Sequence, residues 1–412
     1  MIDHDRAIIA GVDIEVRPFD GDRRAFLDSI ATAFAEHLTD EAAPLWESVL
    51  EFDRAIAAYD GDRIVGNAAA ISVELTVPGG VLPAAGVSAV GVHPTHRRRG
   101  VLRQMMRLQL DDVHRRGEPL AMLWASEGSI YQRFGYGLAS LKASLRVERH
   151  RNAFRRPHSF SGQIRMVSEA DARVAFPPVY EAARPTRPGF FTHSPEFWNA
   201  EVFYFPEQWR RGRGEPFHVL HDVGGSIDGY ARYAIREGEA NEVSVLDLIA
   251  ATPAARLDLW RYLADIDLMK RVEAWNVPVD DPILLAVAEP RKLDMTLGDA
   301  LWLRIVDLSA ALAGRRYRGD GRLVVEVEDE FCPWNDGRWS LSVEAGVPLV
   351  EPATDAPDIA CDVTDVAAAY LGAFSFAQLA DASRVSELSP GGIARADALF
   401  RTDRAPWCPR VF

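Results

Sequence analysis

Cysteine is scarce in this 412-residue chain, with only Cys332, Cys361 and Cys408 present. An odd, widely separated set offers neither a disulfide framework nor the paired spacing of a structural metal site, and it fits a reducing compartment. Long hydrophobic runs are missing too. Stretches such as Ile283 to Ala288 fall far short of the roughly 20 apolar residues that cross a bilayer. The opening MIDHDRAIIAGVDIEVRP carries acids where a secretory leader carries bases, so the expected location is cytoplasmic, with no membrane partner. Positive charge is in deficit: 46 Lys and Arg stand against 60 Asp and Glu, a formal net charge of −14. A polyanion would be repelled by most of such a surface, which excludes nucleic acid as the main partner. Any anion site must be local. The first fifty residues hold eleven Asp/Glu against four Lys/Arg, a bias that favours a cationic ligand and serves solubility equally well.

What is present is 48 % hydrophobic residues, enough in a chain of this length for two or three cores. The pattern predicts a strand at Ile14 to Pro18 and a helix from Arg23 to Leu38, whose apolar residues Phe26, Leu27, Ile30, Phe34 and Leu38 share one face. A short helix follows at Leu45 to Leu50. Two β-rich runs meet at Asp60-Gly61-Asp62, a hairpin signal. GVSAVGVHPTHRRRGVLRQMMRLQL reads as strand, basic loop and long helix; LAMLWA as a buried strand; EGSIYQRFGYG as a short helix entering a turn. LASLKASLRVE is expected to close this first unit.

The order then repeats from Gln163. FHVLHDVGGSIDGYARYAI gives strand, turn, strand, and VSVLDLIAATPAARLDLWRYLADI gives strand, loop, helix. The loops differ: the second copy has Thr252-Pro253-Ala254-Ala255 where the first has His96-Arg97-Arg98-Arg99-Gly100. A third region begins near Leu297 with a strand and helix, a hairpin about Asn335-Asp336-Gly337, and helices in VTDVAAAYLGA and FAQLADAS. The expected domains are 1–150, 151–295 and 296–412.

The chemistry-bearing stretch is Val90 to Met106. A strand ends near Val92, Pro94 breaks it, and a helix begins at Gly100. The first amides of a helix lack intrahelical partners, and the macrodipole adds about half a positive charge. Such an end seats a pyrophosphate, with Gly100 permitting close approach and Arg97, Arg98 and Arg99 adding cations. Arg97-Arg98-Arg99-Gly100-Val101-Leu102 is similar to the Gln/Arg-x-x-Gly-x-Gly/Ala signature of the GNAT superfamily, with Leu102 in place of the final small residue. Together with WASEGSIYQRFGYG downstream and the repeated unit, the whole chain resembles the enhanced intracellular survival (Eis) family of N-acetyltransferases. The resemblance implies an α/β (α+β) fold of two tandem GNAT-like mixed-sheet domains, only the first binding acetyl-CoA, followed by a sterol-carrier-protein-like α+β domain.

It also implies roles. Acetyl-CoA would pair with the strand at Val90 and Val92, lay its pyrophosphate on the loop from Arg97 to Leu102, and pass near Ser126, which is equally a candidate helix cap. The oxyanion donor would be a backbone N–H near Val92. Tyr131, the first tyrosine of the Ile-Tyr-x-Arg-Phe-Gly-Tyr-Gly segment, would give its proton to the departing thiolate; thiols titrate near ~8.5 and tyrosine near ~10, so the transfer costs little. The base would be the α-carboxylate of the last residue, here Phe412. Phe34, Glu36 and Trp46 would line the acceptor cleft, with Phe34 open to a core reading because of its stripe. Ser88-Ala89 replace bulkier residues found in the family, which implies a wider pocket. His93 and His96 flank the phosphate loop, where contact with phosphate or solvent competes with a base role. No metal is expected. The acceptor would be a small-molecule or peptide amine, such as an aminoglycoside, a polyamine or a lysine Nε, and the assembly a homo-hexamer. The rival reading is a non-catalytic acyl-CoA or lipid carrier.

Overall fold

The computed structural model describes residues 14–149, 153–238 and 241–412, built on three sheets. The boundary expected near residue 150 lies outside the described residues. The strands, in chain order, are β1 (Ile14–Pro18), β2 (Ile56–Asp60), β3 (Arg63–Val77), β4 (Gly80–Val92), β5 (Leu120–Trp124), β6 (Tyr136–Leu138), β7 (Leu141–Glu148), β8 (Gln163–Val167), β9 (Phe217–Val223), β10 (Ser226–Arg236), β11 (Glu242–Ala250), β12 (Arg271–Val277), β13 (Thr296–Asp299), β14 (Leu301–Ile305), β15 (Gly321–Glu328), β16 (Gly337–Glu344), β17 (Val347–Pro352), β18 (Ile359–Asp362) and β19 (Val385–Glu387). The sheets run β1-β2-β3-β4-β5-β14-β6, then β13-β7-β12-β11-β10-β9-β8, then β17-β16-β15-β18-β19.

The first two sheets exchange strands. LASLKASLRVE does not close the first unit: its β7 pairs antiparallel with β12 and β13 of the second sheet. In return β14, expected to open the third unit, lies between β5 and β6 of the first. β14 is buried along its whole length, whereas β7 alternates, burying Ala143, Leu145 and Val147; either pattern reports which face is covered and leaves the partner strand unspecified. The repeat itself holds in the pairing. β4 and β5 are parallel, as are β11 and β12, and each pair is bridged by one helix, α3 (Val101–Arg115) in the first copy and Pro253–Asp265 in the second. The buried face of α3 is Val101, Met105, Met106, Gln109, Leu110 and Val113, the helical spacing its sequence predicts.

Two helices cover the start of the first sheet, α1 (Arg23–Ala33) and α2 (Ala43–Val49). The helix expected to reach Leu38 stops at Ala33. Ala35 takes a left-handed φ of 58°, its N–H donates to Thr32 O at 3.2 Å, and that of Glu36 donates to Ala31 O at 2.8 Å. This is a Schellman ending without its usual glycine. Other local readings also shift. EGSIYQRFGYG forms turns and a single 3₁₀ turn, Gln132–Phe134, so Ser126 caps no helix. The hairpin expected about Asn335 joins β15 to β16, and Asn335 N–H closes its turn on Cys332 O at 3.0 Å; its buried side chain accepts from Leu308 N–H at 2.9 Å and donates to Ile305 O, Val306 O and Asp329 Oδ2.

The third unit reaches the first through Gly137. A Cβ on that residue would lie 2.0 Å from Thr364 O, at the start of helix Val363–Tyr370, so β6 and this helix touch backbone to backbone. On the neighbouring strand, Arg304 of β14 is fully buried and donates to both carboxylate oxygens of Asp329 at 2.7 and 2.8 Å. The guanidinium of Arg304 also lies against Gly135, where a Cβ would come within 2.2 Å of its Nη1, so the segment after Tyr131 is held from two sides.

Candidate functional site

The loop after β4 brings cations and unpaired amides together at the start of α3. Pro94–His96 make one 3₁₀ turn, and Arg98 and Gly100 both adopt left-handed backbone, with φ of 63° and 78°. A non-glycine residue pays roughly 1–2 kcal/mol for that conformation, so at Arg98 the fold holds a strained loop in place. The first intrahelical bond of α3 is donated by Gln104 N–H to Gly100 O, which leaves the amides of Val101, Leu102 and Arg103 without helical acceptors. Val101 and Leu102 put their side chains into the core and offer only their N–H groups to a ligand. Arg97 donates to Val92 O and Ala33 O, each at 3.3 Å, tying the loop to α1. Among the described residues no carboxylate pairs with Arg97, Arg98 or Arg99.

In the second copy the same helix end is already satisfied. Thr252 accepts from Ala255 N–H at 3.2 Å and donates to Asp228 Oδ2 at 2.7 Å, so a carboxylate stands at the place a phosphate would need. His221 bridges Asp228 and Asp258 and locks the arrangement.

Between loop and cavity, β4 and β5 part. Their pairing ends at Gly86 and Met122 although the strands continue to Val92 and Trp124. On its other edge β4 carries a bulge: Asn67 faces Gly91, yet Ala69 faces Ser88, and Ala89 has a φ of 56°. A buried relay props this bulge. Asn67 Nδ2 donates to Ala89 O at 2.8 Å, and Ser29 Oγ donates to Asn67 Oδ1 at 3.0 Å. Its one proton being so used, Ser29 Oγ accepts from His93 Nε2 at 2.9 Å. His93 is therefore a support of the bulge, and burial lowers its pKa. His96 binds Asp60 at 3.1 Å.

The splayed strands open onto a cavity of about 1520 Å³ between the first two sheets. It gathers Val90, Ser126, Tyr131, Phe34, Glu36, Trp46 and Phe412; Val92 and the loop from Arg97 to Leu102 lie outside it, towards the start of α3. The early end of α1 explains Phe34, which is 46 % exposed and off the core its stripe predicted. Glu36 is exposed, and Trp46 sets its ring edge-on to Trp209 of the second unit at 6.4 Å. Ser88 and Ala89 line the wall with small side chains.

Phe412 arrives on a strapped tail. Ala405 O accepts from Arg187 Nη1 at 2.6 Å, Trp407 N–H donates to Pro188 O at 2.9 Å, and Trp407 Nε1 donates to Asn276 Oδ1 at 2.8 Å. Asn276 Nδ2 then donates to Cys408 O and Pro409 O, each at 3.1 Å, and Arg410 pairs with Asp247. These bonds fix the chain up to residue 410. Phe412, half-buried, sets its ring against Phe191 with centroids 5.0 Å apart.

Tyr131 is 6 % exposed, and burial lifts its pKa to about 12. It is a neutral phenol across the physiological range, and the rise makes proton transfer to a thiolate, ordinarily near ~8.5, costlier than the ordinary tyrosine value implies. Its ring lies edge-on to Tyr136, which is fully buried and has no hydrogen-bond partner for its hydroxyl. Glu201 also lines the cavity, its pKa raised to about 7 by burial, with Arg410 pulling the other way. Sequence reasoning missed Glu201, and with it Arg211, Arg213 and Arg236 on the second-unit wall. The signal available was the failed phosphate loop, which marked the second copy as architecture and drew attention from its cavity face. Among the described residues no cluster of three or more His, Cys, Asp or Glu groups has metal-binding geometry, and no helix is long and apolar enough to cross a membrane.

Comparison with known proteins matches residues 17–139 and 189–305 to acetyltransferase (GNAT) domain families and residues 308–409 to the sterol carrier protein domain. An uncharacterized N-acetyltransferase of Streptomyces avermitilis is 40 % identical over 379 residues, covering 90 % of this chain and 92 % of that protein. N-acetyltransferase Eis of Mycobacterium tuberculosis is 34 % identical over 390 residues, covering 90 % and 93 %. The crystal structure of Eis1 from Mycobacterium abscessus superposes with a TM-score of 0.84 at 32 % identity, covering 97 % of this chain and all of that one.

Proposed function

The chain belongs to the Eis family of GNAT-type N-acetyltransferases, and we propose that it carries an acetyl group from acetyl-CoA to a primary amine within the cavity between its first two sheets. The observation that carries this reading is the splay of β4 and β5, with free helix amides and unpaired arginines on one side and Tyr131 on the other. The pyrophosphate of the co-substrate rests on the amides of Val101 to Arg103 beside Arg97, Arg98 and Arg99, and its arm pairs with Val90 and Val92. The second unit serves as architecture and as one cavity wall.

The amine nitrogen attacks the thioester carbonyl, and the N–C bond forms as a tetrahedral intermediate whose oxyanion takes a hydrogen bond from backbone N–H near Val92. The C–S bond then breaks, and the thiolate takes the Tyr131 proton, which solvent restores. The ammonium proton leaves to the Phe412 carboxylate, directly or through water. Ser126 borders the arm; Phe34, Glu36 and Trp46 receive the acceptor, of aminoglycoside, polyamine or lysine type. We extend the proposal to a homo-hexamer in the cytoplasm, and to functional limits at 1–150, 151–295 and 296–412 that the exchanged strands cross.

A lipid-carrier role fits less well. The cavity between helix and sheet in the third unit is about 10 Å³, near the size of one water. Thiol release with acetyl-CoA and a panel of amines tests the reading, run beside a chain carrying one extra glycine after Phe412. Release that depends on an amine is expected, with kcat reduced at least tenfold by the extension; release with no amine of the panel would overturn the function, and an extended chain at full rate would overturn the base.

A further inference from the structure

Five arginines and two glutamates gather on the second-unit side of the cavity. Glu273 accepts from Arg146 at 2.9 Å, Glu242 accepts from Arg271 at 2.7 Å, and Arg236 lies between them at 3.4 Å from Glu242 and 4.0 Å from Glu273. These three arginines use both carboxylates. Arg211 and Arg213 remain, and among the described residues neither has a carboxylate partner. The Nε–H groups of Arg213 and Arg236 are buried with no acceptor, a costly arrangement unless something supplies one. Arg211, Arg213, Arg236 and Glu273 all line the cavity. The local surplus is positive, in a chain whose net charge is −14. Burial, then the neighbouring Arg236 and Arg211, lower the pKa of Arg213, while Glu273 and Glu242 pull the other way.

The other walls differ. Glu36 comes from the first unit, Glu201 lies with the tail, its backbone O accepting from Arg410, and the rings of Trp46, Trp209 and Trp275 share the lining. Of the acceptor types proposed above, an aminoglycoside or a polyamine would meet repulsion along the arginine wall, which narrows the class. We infer that the acceptor is a primary amine carrying a carboxylate at its far end, the carboxylate seated on Arg211 and Arg213, an apolar spacer crossing the tryptophans and the amine directed to the acidic side. This rests on the acetyltransferase reading and names its substrate class. Planar guanidinium groups suit a carboxylate in forked geometry, which an ammonium-only acceptor cannot exploit.

The test compares two acceptors of one length: Nα-acetyllysine, which keeps its carboxylate, and N-acetylcadaverine, which lacks it. Wild-type kcat/KM is expected to favour Nα-acetyllysine by on the order of tenfold or more. That ratio should collapse towards one in Arg213→Gln and in Arg211→Asn, the latter chosen because Asn tolerates the left-handed backbone at that position, φ 51°. KM for acetyl-CoA should stay unchanged. Equal wild-type kcat/KM values would overturn the carboxylate seat and leave the acetyltransferase reading standing; so would a raised KM for acetyl-CoA in the variants, which would assign the arginines to the co-substrate. Calorimetric binding of the unreactive Nα,Nε-diacetyllysine supplies an arm independent of turnover. Binding weakened tenfold in Arg213→Gln supports the proposal even if neither amine is acetylated, and binding no weaker in the variant than in wild type overturns it.

Discussion

Glu201 shows what burial does to a single carboxyl in this cavity. Its folded pKa of about 7 stands above the ordinary carboxylate value, so the folded state holds a proton that the unfolded chain has released. The sign follows from linkage: the cost is absent below about pH 4, grows as pH rises, and is complete above pH 7. Glu201→Gln removes it. The variant is expected to be more stable than wild type at pH 8, by a few kcal/mol at most, and equal to it at pH 4, as measured by denaturant unfolding across that range. Parallel stability curves for the two chains would show that Glu201 ionises normally. At Tyr131 the pKa of about 12 keeps the phenol protonated throughout that window, so no alkaline loss of activity should trace to it. Tyr131, the arginine loop and the start of α3 were legible because each depends on a local motif. Glu201, Arg211 and Arg213 were not, since only the fold brings them to the same cavity.

At the scale of elements, the Tyr131 segment depends on how closely its neighbours approach. The turn expected at the end of EGSIYQRFGYG falls on Gly135 and Gly137. Gly135 does adopt a φ of 82°, but Gly137 is required because Thr364 O would lie 2.0 Å from any Cβ there. Gly137→Ala must push β6 away from helix Val363–Tyr370. We expect a loss of about 1–3 kcal/mol in stability and a fall in kcat that exceeds any change in KM for acetyl-CoA, because the displaced strand follows Tyr131 and not the phosphate loop. Unchanged kcat and stability would mean that the two backbones part freely. Helix α1 offers the opposite lesson. Its apolar stripe continues to Leu38, and periodicity alone extends the helix that far; the left-handed Ala35 ends it sooner and turns Phe34 and Glu36 into the cavity.

For the whole molecule, the exchange of β7 and β14 makes the first two sheets interdependent, and the tail from Ala405 returns across the second unit to the first. No local pattern encodes such a partnership. Sheet membership is decided by pairing between strands about 180 residues apart in sequence, as Leu301 opposite Trp124 illustrates. Repeat order, the α3 helix and the loss of the second phosphate loop were readable because each lies within one short stretch. The central claim is that this interlocked frame acetylates amines with Tyr131 supplying the leaving group's proton. The most direct measurement follows acetyl-CoA and an accepted amine with product identified by mass, in wild type and in Tyr131→Phe, which keeps the ring and removes the proton. The account predicts an amine product heavier by an acetyl group, formed with kcat reduced roughly 10²-fold or more in the variant and KM for acetyl-CoA little changed. Formation of that product at the wild-type rate by Tyr131→Phe would contradict it.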